Sequence, residues 1–207
     1  MNTYKKFDDN ILKKSINQNR FKWLVDICET LEINPNHSRV IDLGSGHGDI
    51  TIALSHHFHK TYGIEPSIKM LKFSRKLKKR SERLYNYNLS SVRFYEGSFE
   101  NMPIKQVNMI CLFNSIHFSK KVIEDLSKIL SNVCKNGLLV IHEPHNKSKF
   151  SEKLMNNKKE LKNKLKILKR VRQDIKFFLK DCLENKKASI IKEVENDTKY
   201  LVIIQKK

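Results

Sequence analysis

The feature that most constrains the fold of this chain is a glycine-rich turn directly after a short apolar segment. Residues 39–43, Arg-Val-Ile-Asp-Leu, are typical of a buried strand. The turn Gly44-Ser45-Gly46-His47-Gly48 follows at once and holds three of the six glycines in the chain. Glycine permits positive φ and lets the backbone approach a ligand closely. Because a helix is predicted from Asp49, its unpaired N–H groups would lie at the same place. The pattern predicts a strand–turn–helix unit with a ligand site at the turn.

The order of the remaining predicted elements indicates an α/β fold. Apolar strands alternate with amphipathic helices, which favours a parallel sheet covered by helices on both faces. Two further strands, separated by Asn196-Asp197-Thr198, predict a C-terminal antiparallel hairpin. We therefore predict a doubly wound, mostly parallel seven-stranded sheet. The predicted strands are residues 39–43, 61–64, 91–95, 107–113, 138–142, 188–195 and 199–205, and the predicted helices are residues 10–32, 49–58, 68–84 and 120–134.

The length of 207 residues suits one domain with a single core. We predict one domain over residues 1–207, with residues 1–38 as an N-terminal helical cap. Residues 147–170 form a Lys-rich helical segment, and the helical periodicity over 147–184 predicts two helices. Gly137 is predicted to mark the end of the helix before the fifth strand.

The charge and the apolar content limit the partners of this chain. It has 41 Lys and Arg against 22 Asp and Glu, a formal charge of +19 that attracts polyanions. Lys, Asn and Ile are also the products of AT-rich codons, so nucleic-acid binding stays open alongside a purely compositional origin. No apolar stretch is long enough to cross a bilayer and no signal sequence is found, so we predict a cytoplasmic protein without membrane contact.

An acidic residue at the end of the second strand indicates which ligand the turn binds. Glu65 is placed to accept hydrogen bonds from ribose hydroxyls, as in nucleoside-binding doubly wound sheets. A dinucleotide fingerprint would need glycine at position 49, where Asp49 stands. Since an aspartate is a poor neighbour for a pyrophosphate, the pattern disfavours NAD and FAD. It favours a nucleoside ligand without phosphate.

The stretch from Val40 to Pro144 resembles the class I S-adenosylmethionine-dependent methyltransferases. Five segments match the family's motifs in order and at the right intervals: VIDLGSGHGDI, YGIEPS, GSFENMP, FNSIHF and KNGLLVIHEP. The C-terminal hairpin is similar to the family's reversed last strand. The resemblance implies a methyltransferase of EC class 2.1.1.- with S-adenosyl-L-methionine as its cofactor.

The resemblance also implies which residues bind this donor. Asp42 and the backbone of Gly44, Ser45 and Gly46 would hold the methionine part, and Glu65 would hold the ribose. The remaining implied contacts are Pro66, Ser67, Ser98 and Phe99 around the adenine, and Asn114 at the methionine end. Ser98 departs from the family pattern, which usually has an acidic residue there. A hydroxyl accepts the hydrogen bond of the adenine amino group more weakly, so donor affinity would be modest.

The catalytic residues and metal ligands are less constrained by the sequence. Methyl transfer from a sulfonium is an in-line attack that needs a general base only when the acceptor must lose a proton. His117, after the fourth strand, is the one candidate base, and an uninvolved histidine is an equally good interpretation. The four cysteines are scattered, and Pro144 interrupts the His142-Glu143-His145 cluster, so no metal site is predicted.

The methyl acceptor remains open between three hypotheses. A small-molecule acceptor is favoured, partly because the chain has neither the [DN]PP[YF] motif of amine-directed nucleic-acid enzymes nor the cysteine setting of cytosine C5 enzymes. An RNA-directed methyltransferase would use the basic surface. A catalytically degenerate protein that binds the donor and partners an active subunit is the third hypothesis. The sequence indicates no oligomeric state.

Overall fold

The computed structural model describes residues 13–144, 158–196 and 199–207. Seven strands form a mixed sheet of order β3-β2-β1-β4-β5-β7-β6, which confirms the predicted α/β fold and its C-terminal antiparallel hairpin. The strands are β1 Arg39–Leu43, β2 Lys60–Glu65, β3 Val92–Glu96, β4 Val107–Phe113, β5 Val133–Pro144, β6 Ala188–Glu195 and β7 Lys199–Lys206. The α-helices are α1 Lys22–Thr30, α2 Asp49–Leu54, α3 Ile68–Tyr85, α4 Val122–Ser131 and α5 Lys158–Glu184. Short 3₁₀ helices span Gln18–Phe21, Pro35–His37 and Ile116–Phe118.

The chain divides into two compact units, of which the first ends at Glu96. Its strands β1, β2 and β3 pair in parallel. Helix α3 places one face in the core, because its buried residues recur at helical spacing, whereas the last four residues of α2 are all buried. The core cluster that includes both helices and the edge strand consists of Ile16, Ile52, Leu71, Leu77, Leu89, Val92 and Phe94.

The single N-terminal helix predicted over residues 10–32 is wrong. The chain is helical at residues 13–15, turns, and continues as a 3₁₀ helix and then α1. The break lies at Asn17, whose side chain accepts a 2.7 Å hydrogen bond from the backbone N–H of Asn19. A short polar side chain that bonds nearby backbone competes with helix continuation and starts a new helix instead. The predicted helix from Asp49 also ends earlier, at Leu54 rather than at residue 58.

The second unit spans Gly97–Lys207 and contains the antiparallel half of the sheet. Strand β5 pairs in parallel with β4 and antiparallel with β7, and β6 completes the hairpin against β7. The prediction that Gly137 ends a helix is wrong, because Gly137 lies within β5. A Cβ atom there would lie 2.6 Å from the carbonyl oxygen of Asn108 on β4. Glycine at this position therefore permits the close approach of two strands.

The Lys-rich tail forms one long helix in its described part. Helix α5 runs from Lys158 to Glu184, whereas the sequence predicted two helices over 147–184; residues 147–157 lie outside the described residues. One face of α5 is buried, and four of its five lysines with described side chains are exposed, as in an amphipathic helix. Its buried apolar residues among those described are Leu168, Val171, Ile175, Phe178, Leu179 and Cys182. None of the helices described is both long and apolar enough to span a membrane.

The aromatic ring of Phe94 packs against two glycines of the first unit. Gly63 on β2 lies directly opposite Phe94 on β3. A Cβ atom on Gly63 would lie 2.5 Å from the Phe94 ring, and one on Gly48 would lie 2.7 Å from the same ring. At distances this short, any side chain at either position would displace the Phe94 ring. The ring thus fixes the turn before α2 against the neighbouring strand.

We predict that Gly63→Ala destabilises the protein by about 1–3 kcal/mol, because overpacking forces the Phe94 ring to move. Phe94→Leu supplies room for the added methyl group, so the double variant should be less destabilised than the sum of the two single variants. Urea unfolding of the four proteins, followed by circular dichroism, measures this coupling. Strictly additive changes in the free energy of unfolding would contradict the packing argument.

Candidate active site

The glycine-rich turn is held against the end of β2 by backbone hydrogen bonds. The N–H groups of Gly44 and Ser45 both donate to the carbonyl oxygen of Ile64, at 2.8 and 3.0 Å. Since β1 and β2 are parallel neighbours, their carboxyl ends meet at the same edge of the sheet. The turn and the residue that follows Ile64 are therefore brought together, as the sequence predicted.

Glu65 is the residue that joins these two segments. One carboxylate oxygen accepts a hydrogen bond from the N–H of Gly46 at 3.0 Å, and the other accepts from the N–H of Ser67 at 3.0 Å. The Ser67 hydroxyl accepts from the N–H of Met70 and caps α3. Pro66 is exposed between them. Each carboxylate oxygen keeps a lone pair for a further donor.

Open space and an unpaired hydroxyl lie at the turn itself. A Cβ atom built on Gly46, where φ is +50°, would meet no atom within 4 Å. The Ser45 hydroxyl is buried, and in the described part of the chain it has no hydrogen-bond partner. Buried polar groups in folded proteins are almost always paired, so an orphan of this kind is typical of a ligand site. Both features fit a ligand that reaches the turn backbone.

Asp42 places a carboxyl group below the turn. Its side chain is 2% exposed and accepts a 2.7 Å hydrogen bond from the Thr51 hydroxyl. Burial raises the pKa of Asp42 to about 7; the Thr51 hydrogen bond and Arg20 oppose the rise, and Asp49 and Glu65 add to it. A carboxyl group in this setting gains most from a cationic partner, because the charged form lacks solvation. The ammonium group of an amino acid is such a partner.

The sequence reasoning missed the ion pair that flanks this turn. Arg20, from the 3₁₀ helix Gln18–Phe21, contacts a carboxylate oxygen of Asp49 at 3.0 Å. Asp49 lies in the first turn of α2, where a negative charge is favourable. The sequence showed an acidic residue, Asp49, in the first turn of the predicted helix, but no sequence pattern indicated Arg20 as its partner.

The second unit contains the remaining predicted site residues. Asn114, directly after β4, has a left-handed backbone with φ +55°, and its N–H donates to the carbonyl oxygen of His142 at 2.8 Å. Asparagine tolerates this conformation better than most residues, and strained backbone is common at functional sites. Ser98 Oγ accepts two bonds of 3.3 Å, from the N–H groups of Glu100 and Asn101. Phe99 is half-buried in the same loop.

His117 pairs with a buried glutamate. Its Nδ1 lies 2.6 Å from one carboxylate oxygen of Glu143, and the other oxygen accepts from the N–H of Ile116 at 3.0 Å. Glu143 is 1% exposed, and the His117 side chain is 10% exposed. A carboxylate at Nδ1 fixes that nitrogen as the protonated one and leaves Nε2 as the basic nitrogen. Glu143 was considered only as a metal ligand in sequence, and the structure assigns it to this pair instead.

No three His, Cys, Asp or Glu side chains converge on a metal site within the residues that the structure describes. His145, the third member of the cluster at the end of β5, lies outside them. The His56 ring bonds the carbonyl oxygen of Ile16 at 3.1 Å.

The comparisons with known proteins decide the family. Residues 34–203 match the model of a methyltransferase domain. The chain belongs to this methyltransferase family. It is thus a class I S-adenosylmethionine-dependent methyltransferase of EC class 2.1.1.-, as the motif resemblance implied. No curated protein matches the methyltransferase sequence significantly.

Two solved structures are similar to this methyltransferase over nearly its whole length. A SAM-dependent methyltransferase from Aquifex aeolicus has 16% identity and a TM-score of 0.64, covering 98% of this chain and 100% of its own. Magnesium protoporphyrin IX methyltransferase from Synechocystis PCC 6803, solved with bound SAH, has 15% identity and a TM-score of 0.62, covering 99% and 91%. Identities this low show a shared fold, and the acceptor is not identified by them.

The raised pKa of Asp42 predicts a pH-dependent cost to stability. Because the folded protein holds the Asp42 proton up to about pH 7, while the unfolded chain releases it near the ordinary aspartate pKa of 3.8, stability from this group is lost as pH rises from 4 through 7. Asp42→Asn removes that loss and keeps an acceptor for Thr51. We expect it to raise the free energy of unfolding at pH 8 by up to about 4 kcal/mol, and to change it little at pH 4.

Thermal and urea unfolding at both pH values measure this difference. The matched control is Asp26→Asn, at an exposed aspartate of α1, which should change stability little at either pH. A wild-type protein as stable as Asp42→Asn at pH 8 would show that Asp42 carries its charge without cost.

Proposed function

We propose that this methyltransferase moves the methyl group of S-adenosyl-L-methionine by in-line attack to a small-molecule acceptor whose nucleophilic atom must lose a proton. The observation that carries the donor assignment is the contact of Glu65 with the N–H groups of Gly46 and Ser67. It supports the proposal because a carboxylate, a group suited to bind ribose hydroxyls, lies beside open space at the turn. When bound, the donor supplies a methyl group activated by a sulfonium.

The residues of the first unit fit the parts of this donor one by one. The free lone pairs of Glu65 would accept the ribose hydroxyls. Asp42 would pair with the ammonium group, which relieves its desolvation. Gly44, Ser45 and Gly46 would hold the methionine part through backbone, with the unpaired Ser45 hydroxyl as a further contact. Pro66 and Ser67 are proposed at the adenine.

Three donor contacts in the second unit remain proposals from the resemblance. Phe99 would pack on the adenine, and Asn114 would contact the methionine end. Ser98 already accepts two backbone hydrogen bonds, so its O–H is better placed to donate to an adenine ring nitrogen than to accept from the amino group. This arrangement agrees with modest donor affinity.

His117 is proposed as the general base. As an acceptor oxygen or nitrogen attacks the methyl carbon, His117 Nε2 would take its proton while the C–S bond breaks and S-adenosylhomocysteine leaves. Glu143 would act as a positioning residue, because it orients the ring through Nδ1 and stabilises the imidazolium that forms. The buried carboxylate is itself held by the Ile116 N–H, so the ring position is fixed on both sides of the pair.

An exposed aromatic ring beside this base favours an organic acceptor. The Phe118 side chain is 76% exposed, and its ring centroid lies 4.2 Å from that of His117. A large apolar group left in solvent next to a catalytic candidate is typical of a substrate contact. We therefore propose a hydroxyl- or amine-bearing small molecule with an apolar part. A cytoplasmic location and a single catalytic domain are proposed with it.

The two other hypotheses from the sequence predict different experimental results. An RNA-directed enzyme would transfer the labelled methyl group to the RNA fraction of a cell extract. A degenerate donor-binding protein would bind S-adenosylhomocysteine but label nothing without a partner subunit. The ordered His117–Glu143 pair is an observation that favours catalysis by this chain itself.

The donor site predicts the effect of Glu65→Gln on binding. Replacing the carboxylate weakens the hydrogen bonds to the ribose hydroxyls, so S-adenosylhomocysteine should bind roughly ten- to hundredfold more weakly. Calorimetry measures the Kd. The matched control is Glu29→Gln, at an exposed glutamate of α1, which should bind like the wild type. Equal affinity of all three proteins would remove Glu65 from the donor site.

The proposed base predicts the effect of His117→Asn on turnover. Loss of the base should lower the rate of methyl transfer by about 10²- to 10⁴-fold, with unchanged S-adenosylhomocysteine affinity. Glu143→Gln should lower kcat less than His117→Asn does. It should also shift the pH profile of kcat, because the imidazolium of His117 loses its carboxylate partner. Transfer from tritiated donor to the small-molecule fraction of a cell extract measures the rate.

His59→Asn, at an exposed histidine before β2, is the control for general effects of losing an imidazole. A His117→Asn rate within threefold of wild type would exclude the general-base role. It would leave the donor assignment untouched, because that is measured by binding.

A further inference from the structure

A basic groove lies in the first unit, away from the residues assigned to the donor. It runs between α3 and the edge strand β3 and has a volume of about 480 Å³. Four cationic side chains and one carboxylate line it, together with one tyrosine: Arg75, Lys78, Lys79, Arg93, Glu82 and Tyr95. The proposed methyl transfer uses none of these residues.

The positive charge of the groove is not neutralised locally. Helix α3 carries eight Lys and Arg residues and one acid, Glu82. Glu82 lies 3.9 Å from Lys78, which leaves three cations in excess in the groove. Lys79 and Arg93 are exposed, and neither forms an ion pair within the described ranges. Unpaired cations that share a concave surface raise the local concentration of anions.

Two of the cations are fixed in place by the edge strand. Arg75 donates to the carbonyl oxygen of Phe94 at 3.2 Å, and Lys78 donates to that of Val92 at 3.1 Å. These interactions satisfy carbonyl groups of the outermost strand and protect its edge. The guanidinium of Arg75 retains further N–H donors. It is therefore held at the groove with little conformational entropy left to lose on binding.

We propose that this groove binds the phosphate backbone of a single-stranded nucleic acid. Arg75, Lys79 and Arg93 would contact phosphates, and the half-buried ring of Tyr95 would offer a surface on which a base stacks. A groove fits a strand, whereas a flat anionic membrane cannot enter a concavity between a helix and a strand. The site is independent of which molecule accepts the methyl group, so it adds a binding activity to the proposed enzyme.

The test measures binding of a fluorescein-labelled 20-nucleotide oligouridylate to the full-length protein as a function of salt. The logarithm of the association constant should fall linearly with the logarithm of salt concentration. Lys79→Gln combined with Arg93→Gln should reduce this slope by about 1.4, since each lost phosphate contact on a single strand contributes about 0.7. Thermal unfolding and S-adenosylhomocysteine affinity should stay at wild-type values.

The matched control removes two exposed lysines from α5, as Lys166→Gln combined with Lys169→Gln. It changes the net charge equally but leaves the groove intact, so its slope should equal that of the wild type. An equal or larger loss in this control would overturn the proposal and assign binding to α5 or to net charge alone. Absence of oligouridylate binding at 50 mM salt, or tighter binding to phosphatidylserine vesicles that is lost in the groove variant, would also overturn it.

Discussion

The packing of the Phe94 ring on the bare backbone of Gly48 and Gly63 is the constraint on which the first unit depends. A side chain at either glycine would displace the ring, so the bare backbone lets the turn after β1 pack closely against β2 and β3. That arrangement brings the Gly46 N–H within hydrogen-bond distance of Glu65. The carbonyl oxygen of the same Phe94 anchors Arg75 at the edge of the sheet. One residue thus supports both the donor site and the basic groove.

The proposed donor site contains a buried carboxyl group whose desolvation a bound ligand would relieve. Asp42 is buried, its one hydrogen-bond donor within the described residues is the Thr51 hydroxyl, and burial raises its pKa to about 7. A desolvated carboxylate weakens the folded protein but interacts strongly with an ammonium group placed in direct contact with it. The unpaired Ser45 hydroxyl has the same character. We propose that the ligand supplies the hydrogen-bonding or charged partner of both the Asp42 carboxyl group and the Ser45 hydroxyl.

The second unit contains an oriented histidine–glutamate pair. His117 and Glu143 are held together by the short 3₁₀ helix after β4 and the end of β5, and the Ile116 N–H completes the network. Such a network fixes one tautomer of the imidazole ring, which is the requirement for a base that acts at Nε2. The exposed Phe118 ring beside it is the feature that favours a small organic acceptor over other classes.

The sequence alone determined the α/β fold, the position of the turn, the placement of Glu65 beside it and the family, because strand and helix periodicities and the spacing of motifs are local properties of the chain. Interactions between distant residues were decided only by the tertiary structure. Glu143 lies 26 positions from His117, Arg75 bonds a carbonyl 19 positions away, and Gly137 permits β5 to approach β4 where the sequence predicted a helix end. Side chains meet across strands and helices only when the chain is folded, so no spacing in the sequence contains these contacts.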